Sequence, residues 1–207
     1  MIVFGAGGLT IQILDMLLGL HDETILVFSD KPTAKPKISE FLHVSNEIKD
    51  LETQLRQTDS KFIISHAGPQ HREDSYNRLT SLGGTGLSLL SPKSDISQGA
   101  VISGDSVIIL HDAIIEQMVT VGKGCLINCK VFIGHESTIG NFTEIAPGAI
   151  LNGNVVVGER CFIGSGAVIL PGVNLGDGCT VGAGAVVLSD VEPATTVIGV
   201  PAKKVIK

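Results

Sequence analysis

Residues 127–163 read INCKVFIGHESTIGNFTEIAPGAILNGNVVVGERCFI, and every sixth position, counted from Ile127, is Ile, Leu or Val. The series runs on outward without a gap, through Val121 and Ile115 to Ile109 on one side and through Ile169, Leu175 and Val181 to Val187 on the other. Four residues after each anchor stands a small or modest side chain, among them Ala113, Cys125, Ser137, Thr143, Ala149, Cys161, Ala167, Cys179 and finally Val191. The second position of the hexad is often glycine, as at Gly122, Gly134, Gly140, Gly158, Gly164, Gly176 and Gly182. A period of six matches neither the helical 3.6 nor a two-residue alternation, so the pattern is an internal repeat.

A branched aliphatic anchor points inward, and the small residue four places on fills a tight corner. The Gly and Asn positions are expected to supply turn conformations that a β-carbon disfavours. Three hexads close one triangular coil, so identical positions stack and parallel strands satisfy the backbone from coil to coil. The pattern resembles the left-handed parallel β-helix of the hexapeptide-repeat acyltransferases. The resemblance covers Ile96 to Val187, with Ile96 and Ile102 one residue out of register.

Composition narrows the partners. The chain has 207 residues, a net charge of −6, 4% aromatics and no Trp, a poor match to nucleic-acid binding, which wants basic patches and stacking rings. The opening MIVFGAGG lacks the basic start of a signal peptide, and no apolar run approaches the ~20 residues that span a membrane. A cytoplasmic protein is expected. Cys125, Cys161 and Cys179 occupy the small corner position, where buried thiols behave as small hydrophobes. Cys129 lies at hexad position three, and the Cys125/Cys129 spacing is not a zinc knuckle, so no metal is expected.

The first 90 residues read differently. Ile2-Val3-Phe4, the turn Gly5-Ala6-Gly7-Gly8, a helical pattern from Thr10 through Leu18 and a strand from Thr24 to Phe28 form a βαβ start. Such turns let backbone N–H groups approach a phosphate at a helix N-terminus. Residues 31–45 read as loop. Asn46 to Arg56 reads as a helix with Asn46 as cap, Lys61 to His66 as a strand, Pro69 to Leu82 as a helix with Pro in its first turn, and Leu87 to Leu90 as a last strand. The glycine loop lacks the third glycine of the dinucleotide fingerprint, having Thr10 there, while Asp30 stands about where an acidic residue would reach a ribose. The segment is too short for a two-lobed dinucleotide fold. It reads as a half-Rossmann pocket for one nucleotide moiety, or else as a tight strand-to-helix turn. The division is residues 1–90 as an α/β domain, 91–190 as the solenoid and 191–207 as a tail.

Within the repeat the histidines are His111 and His135, both at position three, where side chains stand at the prism corners. Counting in threes puts them on different corners and stacks Gly153, then Pro171, on His135. A missing side chain there leaves a groove for an extended thioester with its acyl end at the imidazole. A neutral imidazole takes a proton near pH 7, and a carboxylate on its other nitrogen, here Glu136, fixes the tautomer and raises basicity. A solvated turn histidine with a chance acidic neighbour explains the same residues.

The glycine loop, the solenoid, His135-Glu136 and the closing Ile198-Gly199-Val200-Pro201-Ala202-Lys203 together resemble the sugar O-acyltransferase family, which includes sialic acid O-acetyltransferases and UDP-4-amino-sugar and GDP-perosamine N-acetyltransferases. The resemblance spans the chain. It implies an acetyl-CoA-dependent, metal-free sugar N- or O-acetyltransferase that works as a homotrimer in surface polysaccharide or glycan synthesis. It implies that His135 is the general base and that Glu136 raises its basicity. Acetyl-CoA would contact Glu144, Gly153, Ser165, Ala183, Ile198, Pro201 and Lys203, the tail contributing to the CoA site. A nucleotide-sugar acceptor would contact Gly7, Gly8, Leu9, Asp30 and Gly68. Two positions depart from the family pattern: Leu9 stands where the loop usually has His, and Glu144 where a second His often lies nine residues after the first. The first bears on the acceptor and the second on the thioester. Of three other readings, the first is discounted and two remain. A γ-class carbonic anhydrase needs three converging His ligands, which His111 and His135 do not supply. A solenoid scaffold that has lost catalysis, or an acyltransferase with a non-nucleotide acceptor, would account for Leu9 and Glu144.

Overall fold

The computed structural model describes residues 1–20, 25–29, 41–56 and 60–205. The chain forms two compact units, Met1–Leu89 with Gly104–Ser106, and Leu90–Ser103 with Val107–Lys207.

The first unit is built from β1 (Ile2–Phe4), α1 (Gly8–Gln12), α2 (Leu14–Leu18), β2 (Leu26–Phe28), β3 (His43–Ser45), α3 (Ile48–Arg56), β4 (Lys61–Ile64), α4 (Pro69–Ser81) and β5 (Thr85–Gly86). Its strands pair parallel in the order β3-β2-β1-β4-β5. The runs Ile2-Val3-Phe4, Leu26-Val27-Phe28 and Phe62-Ile63-Ile64 are buried throughout, as continuous apolar strands of a covered parallel sheet must be. Phe4, Phe28, Phe62, Leu51, Leu55 and Leu79 pack together. The order reverses direction between β1 and β4, and ligand crevices of open α/β sheets form beyond the carboxyl ends of strands at such a point.

Several elements differ from the sequence reading. The first helix is interrupted at Ile13, leaving two pieces of five residues each. The end of the expected 31–45 loop is the edge strand β3, which pairs with β2. Ser45 rather than Asn46 serves the start of α3: its Oγ accepts the Glu47 N–H and its hydroxyl donates to Asp50. The stretch Leu87 to Leu90 is not one strand, because β5 ends at Gly86 and Leu89–Leu90 joins a sheet of the solenoid. Thr24, Asp30 and residues 31–40 lie outside the described residues.

The second unit is the triangular solenoid. One face stacks the strands carrying Ile109, Ile127, Ile145, Ile163 and Val181 (face I). The next carries Ile96, Ile115, Ile133, Leu151, Ile169 and Val187 (face II), and the third Ile102, Val121, Ile139, Val157 and Leu175 (face III). All these anchors except the partly buried Ile96 and Ile102 belong to one buried core, together with the corner Ala, Cys and Val residues. Ile96 pairs with Ile115 and Ile102 with Val121, nineteen residues on, whereas Ile109 pairs with Ile127, eighteen on. The extra residue falls between Ile102 and Ile109, and there Gly104–Ser106 leaves the coil to join the first unit. Arg72 of α4 donates to the Ser106 carbonyl and the Tyr76 hydroxyl donates to the Asp105 carboxylate.

The turn chemistry is not where the glycine spacing suggested. Left-handed backbone recurs at the fourth position of each hexad, at Asp112, Met118, Gly124, Lys130, Glu136, Phe142, Gly148, Asn154, Arg160 and Gly166. The second-position glycines serve close approach instead: a Cβ on Gly140 would lie 2.5 Å from the Gly158 carbonyl carbon, and one on Gly164 2.5 Å from the Ala183 nitrogen. Nor are the corner thiols only small hydrophobes. Cys125 Sγ, Thr143 Oγ1 and Cys161 Sγ each donate to the second-position glycine carbonyl fifteen residues on, at Gly140, Gly158 and Gly176, and Ser137 Oγ donates likewise to the Asn152 carbonyl. Val191, placed by the sequence in the corner series, instead bridges the anchor Leu175, and Val181 pairs with Val197, so the last coil is two residues short. The tail strand Lys203–Lys204 then folds back antiparallel on Thr196–Ile198.

Candidate active site

The corner between faces II and III carries His135. Its ring and the Glu136 side chain are about half exposed, at 57% and 50%, with Nδ1 3.0 Å from Glu136 Oε2. Glu136 sits in the left-handed turn position, φ 59°, and its N–H donates to the Gln117 carbonyl of the preceding coil. A carboxylate only accepts, so Nδ1 carries the proton and Nε2 is left as the basic atom of the neutral ring. A Cβ on Gly153 would lie 2.6 Å from that Nε2. The space over Gly153, expected as an open groove, is therefore taken by the imidazole itself.

The residues implied for the cofactor divide between two corners. Gly153 stands with His135 at the II–III corner. Ser165 and Ala183 stand exposed in the stack that contains Cys129 and Pro147, at the corner between faces I and II. Face II separates the two edges. Glu144 is buried at 5% exposure on face I, in the row before the inward anchors, where Leu126 and Phe162 flank it. Ile198, Pro201 and Lys203 are exposed on the tail.

The glycine loop of the first unit is pinned from below. Thr10, fully buried where the dinucleotide fingerprint has its third glycine, donates from Oγ1 to the Gly5 carbonyl at 2.9 Å and lies 2.9 Å from Ser65 Oγ. Gly5 has φ 121° and no room for a Cβ against Ser65, whereas Cβ atoms on Gly7 and Gly8 would meet nothing within 4 Å. The loop is thus a tight turn at Gly5 and open above Gly7. A cleft of about 420 Å³ lies there, at the strand ends where the sheet order reverses, lined among others by Gly7, Ser29, His66, His71, Ser75 and Arg78. Of the positions implied for the acceptor, Gly7 lines this cleft. Leu9 is buried. Gly68, φ 97°, forms the turn under His71. Asp30 lies outside the described residues.

The sequence reading missed the cleft's polar side. His66 Nε2 lies 3.1 Å from the His71 carbonyl and 3.0 Å from Ser75 Oγ. The carbonyl only accepts, so Nε2 is the protonated nitrogen. The Arg78 guanidinium stands 5.7 Å over the Phe4 ring. Fully buried Arg72 donates to the Ile64 and His66 carbonyls. The signal was the spacing His71, Ser75, Arg78 on α4, one face at intervals of four and three.

A half-exposed His–Glu pair on a hexapeptide solenoid, with a Rossmann-like sheet in the same chain, resembles the arrangement of the hexapeptide-repeat acyltransferases. The family pattern "Hexapeptide repeat of succinyl-transferase" matches residues 154–189. Among solved structures the chain is similar to PerB from Caulobacter crescentus in complex with CoA and GDP-perosamine, at 25% identity and TM-score 0.89, covering 98% of this chain and 95% of that one. It is similar to the acetyltransferase domain of PglB from Neisseria gonorrhoeae, at 27% identity and TM-score 0.88, covering 99% and 98%. The same domain in complex with acetyl coenzyme A matches at 26% identity and TM-score 0.86, with 99% and 98% covered. No curated protein matches the sequence. These structures are of the sugar acetyltransferase type that the sequence resembles.

Proposed function

We propose that the chain transfers the acetyl group of acetyl-CoA to an amino or hydroxyl group of a nucleotide-linked sugar, for surface polysaccharide or glycan synthesis in the cytoplasm. The observation that carries the reading is the exposed His135–Glu136 pair with Nε2 presented at the solenoid corner. In the reaction the acceptor's neutral amine or hydroxyl attacks the thioester carbonyl. His135 Nε2 takes the acceptor proton and Glu136 balances the imidazolium. The carbonyl re-forms as the C–S bond breaks, and the proton passes to the departing CoA sulfur. An imidazole can both take and give up a proton at the same nitrogen, as the two transfers require.

The acceptor's nucleotide belongs, in this reading, in the cleft of the first unit. A five-residue α1 offers little dipole to a phosphate, so the cationic partner is the Arg78 guanidinium, with the His71 ring beside it in the lining. PerB's complex with CoA and GDP-perosamine supports an acceptor of this class. CoA is assigned to a groove between two chains of a homotrimer, because Gly153 and the pair Ser165 and Ala183 lie on opposite edges of face II. No metal step is needed.

The test is acetyl-CoA turnover on nucleotide-linked amino and hydroxy sugars. His135→Ala is expected to lower kcat by roughly 10²–10⁴ while acetyl-CoA still binds. Glu136→Gln is expected to cost less, since an amide still orients the ring. Near-normal turnover by His135→Ala would sink the assignment. Arg78→Ala should raise the acceptor KM and leave that of acetyl-CoA unchanged.

A further inference from the structure

At some corners of the solenoid the backbone amide is accepted by a polar side chain of the next coil. Lys123 N–H donates to Asn141 Oδ1 at 3.0 Å, Glu159 N–H to Asp177 Oδ1 at 2.8 Å, and Gly99 N–H to Gln117 Oε1 at 3.1 Å, each partner eighteen residues on. For His135 the next coil offers no such acceptor, because eighteen residues on stands Gly153, the place of whose Cβ is taken by the imidazole. The His135 amide is accepted instead from the other direction. Glu116, on the preceding coil of face II, places Oε2 2.8 Å from the His135 nitrogen.

We infer that Glu116 is a positioning residue for the general base: its carboxylate holds the His135 backbone at a corner where the next coil seats the imidazole and offers no side-chain acceptor. Gly153 and Glu116 are then two halves of one arrangement. The first leaves the place of the ring clear and the second accepts the amide of the same residue. The Glu116 backbone is itself fixed, its N–H donating to the Ile133 carbonyl at 3.0 Å, so its carboxylate is presented from a rigid strand end.

The inference rests on His135 being the base, and the experiment separates the two. In the full-length enzyme Glu116→Ala is expected to lower kcat about fivefold to tenfold, the order expected for loss of one ordinary, half-exposed hydrogen bond, with both KM values unchanged. Glu116→Gln, whose Oε1 accepts the same N–H, should recover kcat to within about twofold of the parent. In a His135→Ala background, Glu116→Ala should change the residual rate by less than about twofold, since there is no ring left to position. A Glu116→Ala enzyme with parental kcat, a Glu116→Gln enzyme as slow as the alanine variant, or an undiminished effect without His135 would each overturn the inference. If His135→Ala alone keeps its turnover, both readings fall. If it loses turnover while Glu116→Ala does not, only the role of Glu116 falls.

Discussion

Two glycines meet an added Cβ at the same distance with opposite expected consequences. On Gly134 the atom would lie 2.6 Å from the Gly153 nitrogen, and on Gly153 it would lie 2.6 Å from His135 Nε2. Backbone of the next coil cannot retreat without parting the face II ladder, so Gly134→Ala should destabilise the fold by about 1–3 kcal/mol, as overpacking does. A half-exposed imidazole can swing away. Gly153→Ala should therefore leave the melting temperature near that of the parent and yet reduce kcat about tenfold or more, because the ring leaves its seat and the Glu136 hydrogen bond. Thermal melts and turnover measured on the two variants together check this. A Gly153→Ala enzyme that is unstable but, when folded, fully active would contradict it.

At the scale of the elements, the hexad was legible because a ladder of identical inward positions leaves a strict period, and a branched aliphatic is the cheap way to fill each one. The one-residue slip at Ile96 and Ile102 was legible for the same reason. The turn was less so. Left-handed backbone falls on Asp, Met, Lys, Glu, Phe, Asn, Arg and Gly alike at the fourth position, so stacking over-determines a conformation that residue type does not advertise. The N-terminal cleft was half legible: Gly5 and Gly7 announced the turn, but His66, His71 and Arg78 meet only after β4 and α4 have packed, and their spacing in sequence looks like any polar helix face. The corner Cys and Thr residues looked like small fillers because a thiol's donor role shows only against a specific carbonyl. Their placement has a chemical consequence. Cys125, Cys161 and Cys179 are fully buried, and burial pushes the Cys161 thiol up to about 11, leaving roughly a thousandth of it as thiolate at pH 8. In the native protein a thiol reagent at pH 8 should spare all three, and Cys129→Ser should abolish whatever fast labelling remains. Unfolding should release the others. Fast native labelling of Cys161, read by mass spectrometry of peptides, would contradict the corner ladder.

The whole molecule raises the question of what covers face II. Its outward row reads Ile114, Phe132, Ile150, Val168 and Val186, one residue per coil. Ile114 and Ile150 are 43% and 40% exposed. A contiguous apolar ladder on an exposed face is characteristic of an interface, and this one runs between the His135 corner and the corner of Ser165 and Ala183. If three chains pack with their solenoids side by side, each contributing this face, the II–III corner of one chain meets the I–II corner of the next, and the two halves of the proposed CoA site come together. The single-chain fold does not depend on the outward row, because the anchors behind it already form the core. Ile150→Lys should therefore leave the circular dichroism spectrum unchanged while light scattering falls from three times the chain mass to one. Turnover should fall with the trimer fraction, and raising the protein concentration should recover part of it. A parent that scatters as a monomer at micromolar concentration while fully active would remove the argument for a shared site, and an Ile150→Lys protein that stays trimeric would move the interface to another face.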